Sequence, residues 1–322
     1  MKTHTLASVL VASLLAVACS PQDEPAPKSS AAATAVLDFK SEHAEWVHER
    51  AADLGKPDGW TSLIGLHWIA AGTQSVGGAE GNAIRLAIAP DRLAELEQRA
   101  DGLYVRPVDG ALITADGKPV QGEVRLEPEG KGGGTKLSYD QGKGQITAIK
   151  RGQRLALRVR HADAPARRHF GGLDFFPAEQ SWRVQARFVP HPAGRTLPIV
   201  NVLGEVADTP NPGYVVFEKQ GREWRLEALG DPTKSLNLMF QDQTTNRQTY
   251  GVGRYLRTDA VAADGTVTLD FNRAYNPPCA YTDFATCPLP PPENRLAQQD
   301  GDRQLVRLAV LAGEKKYALA QH

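Results

Sequence analysis

From Gly59 onward the chain is written in short runs of alternating polar and apolar residues, each closed by glycine, proline or aspartate. Arg154–Val159 (RLALRV) and Trp182–Val189 (WRVQARFV) alternate strictly, the period of a strand with one buried face. Similar runs occur at Ala83–Ile88, Gly102–Val108, Ala111–Ala115, Gly122–Glu127 and Ile146–Ile149. They continue at Thr196–Gly204, Tyr214–Lys219, Glu223–Leu229, Leu236–Phe240, Tyr250–Leu256, Val267–Phe271 and Leu305–Leu311. Short strands with turn residues between them point to a sandwich or barrel. One amphipathic helix precedes them. Ala44, Val47, Ala51 and Leu54 share a helical face, Asp38 or Ser41 can cap its start, and Gly55 with Pro57 ends it. A shorter helix is expected after Asp91, through Leu93, Leu96 and Glu97. The expected fold is mainly β: an N-terminal helix, a β-sandwich-like lobe at about 57–157, and a second β-rich lobe packed with it at about 158–322.

The N-terminus carries Lys2, an apolar run Leu6–Ala16 too short to span a bilayer, and the small residues Ala16–Ala18 before Cys19. The segment AVAC resembles a bacterial lipobox, with Ala16 where that motif usually has Leu. The resemblance implies a signal peptide at 1–19, cleavage before Cys19 and its lipidation. The alternative is an ordinary signal peptide with an incidental cysteine. Residues 20–36 are small, polar and proline-containing, and read as a disordered tether. Ser20 after the lipidated cysteine resembles outer-membrane sorting. The expected location is the cell envelope, lipid-anchored at the outer membrane and facing the periplasm. Thirty-seven basic side chains balance 37 acidic ones, with no basic stripe, which argues against a nucleic-acid partner.

With Cys19 assigned to the anchor, Cys279 and Cys287 remain. In an oxidising compartment they are expected to form a disulfide, which would stabilise the fold by about 2–3 kcal/mol. The alternative is two free thiols, one of them reactive.

The usual catalytic signatures are absent. Thr73–Gly77 (TQSVG) misses G-x-S-x-G, and Gly130–Lys136 (GKGGGTK) lacks P-loop spacing. His43 and His48 do not share a helical face, and no tetrahedral Cys/His spacing occurs, so no metal and no cofactor are expected.

The strongest candidate site combines two stretches. Leu269–Leu296 (LDFNRAYNPPCAYTDFATCPLPPPENRL) holds six prolines and three asparagines, poor material for a regular element. Asp242–Leu256 reads as strand, turn and strand, with Tyr250 and Arg254 on one face of the returning strand. Asn272, Asn276 and Asn294 offer amides, Glu293 and Arg295 can pair or meet a ligand, and Tyr275 lies among them. Arg158, Arg167 and Arg168 precede Phe170-Gly-Gly, where backbone can approach a ligand closely. Arginine suits a carboxylate or phosphate. The expected ligand-binding set is therefore Arg158, Arg168, Asp242, Tyr250, Arg254, Asn272, Tyr275, Asn276, Glu293, Asn294 and Arg295.

Three blocks resemble the bacterial family known as domain of unknown function 1684: Gly59–Gly78, Arg158–Pro177 and Asp242–Glu314. The resemblance runs from about residue 37 and implies no established reaction. A fainter likeness, GTQSVGGAEGNAIRLAI, is to the opening of a forkhead-associated β-sandwich, without its phosphopeptide-binding residues. Three functions stay open. One is a cell-envelope lipoprotein that binds a small polar or anionic ligand, or a partner protein, through 242–295. Another is a hydrolase or transferase using Cys279 or Cys287 as nucleophile, with His169 or His67 as base. The last is a structural envelope protein.

Overall fold

The N-terminal helix forms and is longer than its apolar stripe, running Lys28–Leu54. It starts ahead of both expected caps because the stretch Ala31–Ala35 is intrinsically helix-favouring. Residues 28–36, expected within the tether, are therefore helical. The helix ends where predicted, with the Gly55 amide bonded to the Ala51 carbonyl at 3.1 Å. The computed structural model describes Met1 and residues 28–130, 132–300 and 304–317; the segment expected to be a signal peptide, with Cys19, lies outside the described residues. No helix among the described residues is long and apolar enough to cross a membrane.

Behind the helix the protein is mainly β. A six-stranded sheet is built around Leu63–Trp68, Arg154–His161 and Gly144–Arg151. A five-stranded sheet is built around Gly72–Gly77, Ala94–Arg99 and Gly102–Pro107. The two share one core, in which Val76, Leu96 and Val105 meet Leu137, Ile146 and Leu157. The helix expected after Asp91 is instead the strand Ala94–Arg99. Its true period is two: Ala94 and Leu96 point inward, while Glu95 faces its cross-strand partner Arg106 at 2.7 Å.

A second six-stranded sheet runs Arg254–Arg257, Ser235–Phe240, Arg222–Asp231, Gly213–Lys219, Arg183–Pro190 and Thr266–Asp270, all neighbours antiparallel. Alternation places Trp224, Leu226 and Ala228 in a second core with Val215, Leu238, Phe240 and Leu269. Each such large side chain stabilises the fold by roughly 1.5–3 kcal/mol on burial. Two hairpins complete the structure, Thr196–Val200 with Val206–Pro210, and Ala297–Asp300 with Gln304–Arg307.

The proline-rich stretch forms no long helix or strand, but it is not a solvated loop. It makes three short 3-10 turns at Phe271–Arg273, Pro278–Ala280 and Pro292–Asn294. Phe271, Ala274 and Leu296 join the second core, and Tyr281 packs on Leu54 of the helix. The chain is thus strapped across the sheet edge, which fixes the elements beside it.

Candidate anion-binding cleft

Below the cleft lies a buried ion pair. Asp242 follows the strand Ser235–Phe240 and closes a tight turn, its carboxylate accepting from Thr244 Oγ1 at 2.9 Å and Thr245 Oγ1 at 3.1 Å. Its Oδ2 also accepts from the Val310 amide at 2.7 Å and faces Arg254 Nη2 at 3.5 Å. Arg254 is fully buried and donates to the carbonyls of Ala312 and Val310. Burial pulls its pKa down, and the carboxylates of Asp242 and Glu314 oppose that pull. The turn that aims Arg254 inward needs Gly253, whose φ is +112° and whose missing Cβ would sit 2.5 Å from the Phe240 carbonyl. The strand accordingly begins at Arg254, so Tyr250 and Arg254 do not share a strand face as the sequence suggested.

Above this pair opens a cleft of about 890 Å³. The 241–251 turn forms one wall, Pro292–Ala297 another, and Leu305 and Arg307 of the last hairpin the third. Three arginines line it: Arg247, Arg295 and Arg307. All three are exposed, and none has an ion-pair partner among the described residues. Asp242 is committed to Arg254, which leaves Glu293 as the exposed carboxylate of the wall. Converging guanidinium groups with an excess of positive charge attract anions and can hold their oxygens bidentately. Thr245, Gln241 and Gln243 add neutral donors and acceptors.

The other expected ligand residues lie elsewhere. Asn294 is buried beneath the cleft wall, where its Oδ1 accepts from the Glu227 amide at 2.6 Å and its Nδ2 donates to the carbonyls of Glu227 and Met239. Asn272 spans the Glu179 backbone, accepting from its amide and donating to its carbonyl, both at 3.0 Å. Tyr275 pairs with the Tyr255 backbone, and Tyr250 donates its hydroxyl to the Cys279 carbonyl at 2.6 Å. Arg158 sits in the first sheet, paired with Glu129 at 2.7 Å, and Arg168 is exposed 3.9 Å from Asp163. Arg167 is tied to the Gly55 and Ala162 carbonyls. Of the expected set, Asp242, Glu293 and Arg295 line the cleft.

Asn276 belongs to a second buried knot. Glu314, wholly buried, accepts from Arg50 Nε at 2.9 Å, from the Asn276 amide at 2.8 Å and from the Tyr281 hydroxyl at 2.5 Å. Arg50 also donates to the Asn276 carbonyl and lies over the Tyr275 ring. Burial opposes its charge, yet Glu314 and the two tyrosines outweigh that and hold its pKa above the ordinary value. Gly313, at φ +79° and pressed on the Ala274 carbonyl, delivers Glu314 to this point. The knot ties the proline-rich strap to the N-terminal helix and the C-terminal segment.

Cys279 and Cys287 are free thiols, and the expected disulfide is not formed. They are nonetheless adjacent, with the Cys279 amide donating to Cys287 Sγ at 3.1 Å. The bases expected for a cysteine nucleophile are placed otherwise. His169 Nδ1 meets the Pro165 carbonyl at 2.9 Å, and His67 Nε2 is buried without a partner, against Gly65.

The family model described as a protein of unknown function, DUF1684, matches residues 168–315. This stretch of the chain is similar to the DUF1684 family, and the match covers less than half of the chain. The match is shorter than the resemblance expected from residue 37, and it leaves the block Gly59–Gly78 outside. The DUF1684 region contains the whole cleft, both thiols and all of the second sheet, whereas Arg50 reaches into it from the helix ahead. The chain is also similar to a solved structure, an uncharacterized protein of Haloarcula marismortui determined by solution NMR. That likeness is 31% identical, covers 47% of this chain and 80% of the other, and has a TM-score of 0.37. No curated protein gives a significant match.

Sequence reasoning missed Arg247, Arg307, Arg50 and Glu314. Arg247 stands in the turn DQTTNRQTY at residues 242–250 but carries no pattern of its own. Arg307 was legible in part, since its strand alternates and places it away from buried Leu308. Nothing in the sequence pairs Arg50 with a residue 264 positions away.

Proposed function

We propose that this protein binds a small anionic ligand in the cleft framed by Arg247, Arg295 and Arg307. The observation that supports the reading is that three exposed arginines, without carboxylate partners among the described residues, line one concavity. By contrast, half-buried Arg50 and buried Arg254 are each paired with one of the chain's own carboxylates, and Arg254 donates to two backbone carbonyls. A charge-assisted hydrogen bond contributes about 1.5–3 kcal/mol. Losing one arginine should therefore weaken binding roughly tenfold or more. The test is calorimetric titration with phosphate, sulfate and citrate at low salt. Saturable binding that weakens with ionic strength and falls in an Arg247→Gln, Arg295→Gln double variant supports the reading. Equal heats from wild type and double variant would sink it.

The setting that fits this function is a lipid-tethered envelope protein. It rests on the AVAC segment before Cys19 and on the small, polar residues that follow it. Metabolic labelling with a fatty acid, compared between wild type and Cys19→Ser, tests it. Label retained by the variant would exclude lipidation at Cys19.

A further inference from the structure

The two thiols form a site that the cleft does not use. Cys279 is half-buried at the turn Pro278–Ala280, whereas Cys287 lies buried directly behind it. The Cys279 amide donates to Cys287 Sγ at 3.1 Å, so the buried sulfur is held against the backbone of the accessible cysteine. The surroundings are braced on both sides. Tyr250 holds the Cys279 carbonyl at 2.6 Å, Tyr255 the Pro288 carbonyl at 2.6 Å, and the Val202 amide the Cys287 carbonyl at 2.9 Å. Arg151 fixes the neighbouring Thr286 hydroxyl at 2.8 Å. A dithiol of this kind differs from a structural bridge: one cysteine is partly exposed, and its partner is buried.

We propose that Cys279 and Cys287 are a redox-active dithiol that exchanges with small disulfides, Cys279 attacking and Cys287 resolving. The Cys279 thiolate attacks one sulfur of the incoming disulfide, breaking its S–S bond and releasing one thiolate, which takes up a proton. A mixed disulfide on Cys279 results. Cys287 then loses its proton and attacks Cys279 Sγ, forming the intrachain bond and expelling the second thiol. The pair is oxidised by two electrons and the small disulfide is reduced to two thiols. The division of labour follows from exposure, since Cys279 is half-buried and Cys287 is buried behind it. The electrostatics run the same way: interaction with the neighbouring Cys287 thiol lowers the Cys279 pKa despite its burial, and interaction with Cys279, together with burial, raises that of Cys287.

The test uses the full chain with oxidised glutathione as the probe. Timed alkylation of the reduced protein, read by peptide mapping that also follows Cys19, should label Cys279 about tenfold faster than Cys287. Incubation with oxidised glutathione should remove both thiols together and leave an intrachain Cys279–Cys287 peptide. Cys287→Ser should accumulate the glutathione adduct on Cys279, while Cys279→Ser should leave Cys287 unmodified. Equal labelling of the two thiols would overturn the proposal without recourse to any variant. So would the absence of an intrachain bond at every glutathione ratio, or an adduct on Cys287 in Cys279→Ser.

Discussion

The floor and the walls of the cleft use the same side chain for opposite purposes. Arg254 lies under the cleft, fully buried, with its two Nη groups turned to two backbone carbonyls and Asp242. Arg247, Arg295 and Arg307 stand above it, exposed and without ion-pair partners among the described residues. A buried guanidinium needs its charge met from within, because desolvation otherwise costs several kcal/mol. An exposed one keeps its water and remains available. The difference teaches that an arginine-rich sequence region divides into scaffold and surface by depth alone.

The comparison breaks most visibly at the Arg50 knot. Glu314→Ala leaves the Arg50 charge, the Tyr281 hydroxyl and the Asn276 amide without their acceptor. It should cost about 3–5 kcal/mol, read as a lowered urea midpoint. An unchanged midpoint would mean that the strap is not held from within. Next comes Asn294→Ala, which strips three backbone partners beneath the wall and should cost about 2–3 kcal/mol by the same measurement.

On the exposed side, Arg247→Gln or Arg295→Gln should move stability by no more than about 0.5 kcal/mol, while anion affinity falls about tenfold. A stability loss of the size expected for Glu314→Ala would erase the distinction between floor and wall. The smallest effect concerns Glu227, whose carboxylate is buried. Burial pushes its pKa up, but hydrogen bonds from His191 and Arg225 more than offset this and hold it below the ordinary carboxylate value. A lowered folded-state pKa means stability that is present above the unfolded value and lost as pH falls through the folded one. Urea midpoints of the wild type should therefore drop below pH 4.5, and Glu227→Gln should flatten that acid limb.

Much of the framework was legible beforehand. Arg154–His161 and Arg183–Pro190 form where strict alternation predicted them, and the helix stops at Gly55 as its glycine and proline require. Ala94–Arg99 was misread because leucine at positions 93 and 96 fits a helical spacing, and only pairing with two neighbouring strands favours the extended form. The candidate site was legible as a region rather than as residues. Asp242, Glu293 and Arg295 line the cleft, but the asparagines chosen for their donors and acceptors are consumed by backbone groups.

The sequence by itself determined the strand-rich class, the end of the first helix and the proline-rich strap, because these follow from periodicity and from backbone chemistry local to a few residues. Tertiary structure alone decided which arginines are paired and which have no ion-pair partner among the described residues, that Arg50 meets Glu314, and that Cys279 and Cys287 lie together as thiols. Those outcomes depend on depth and on partners far apart in the chain, and no local pattern encodes either.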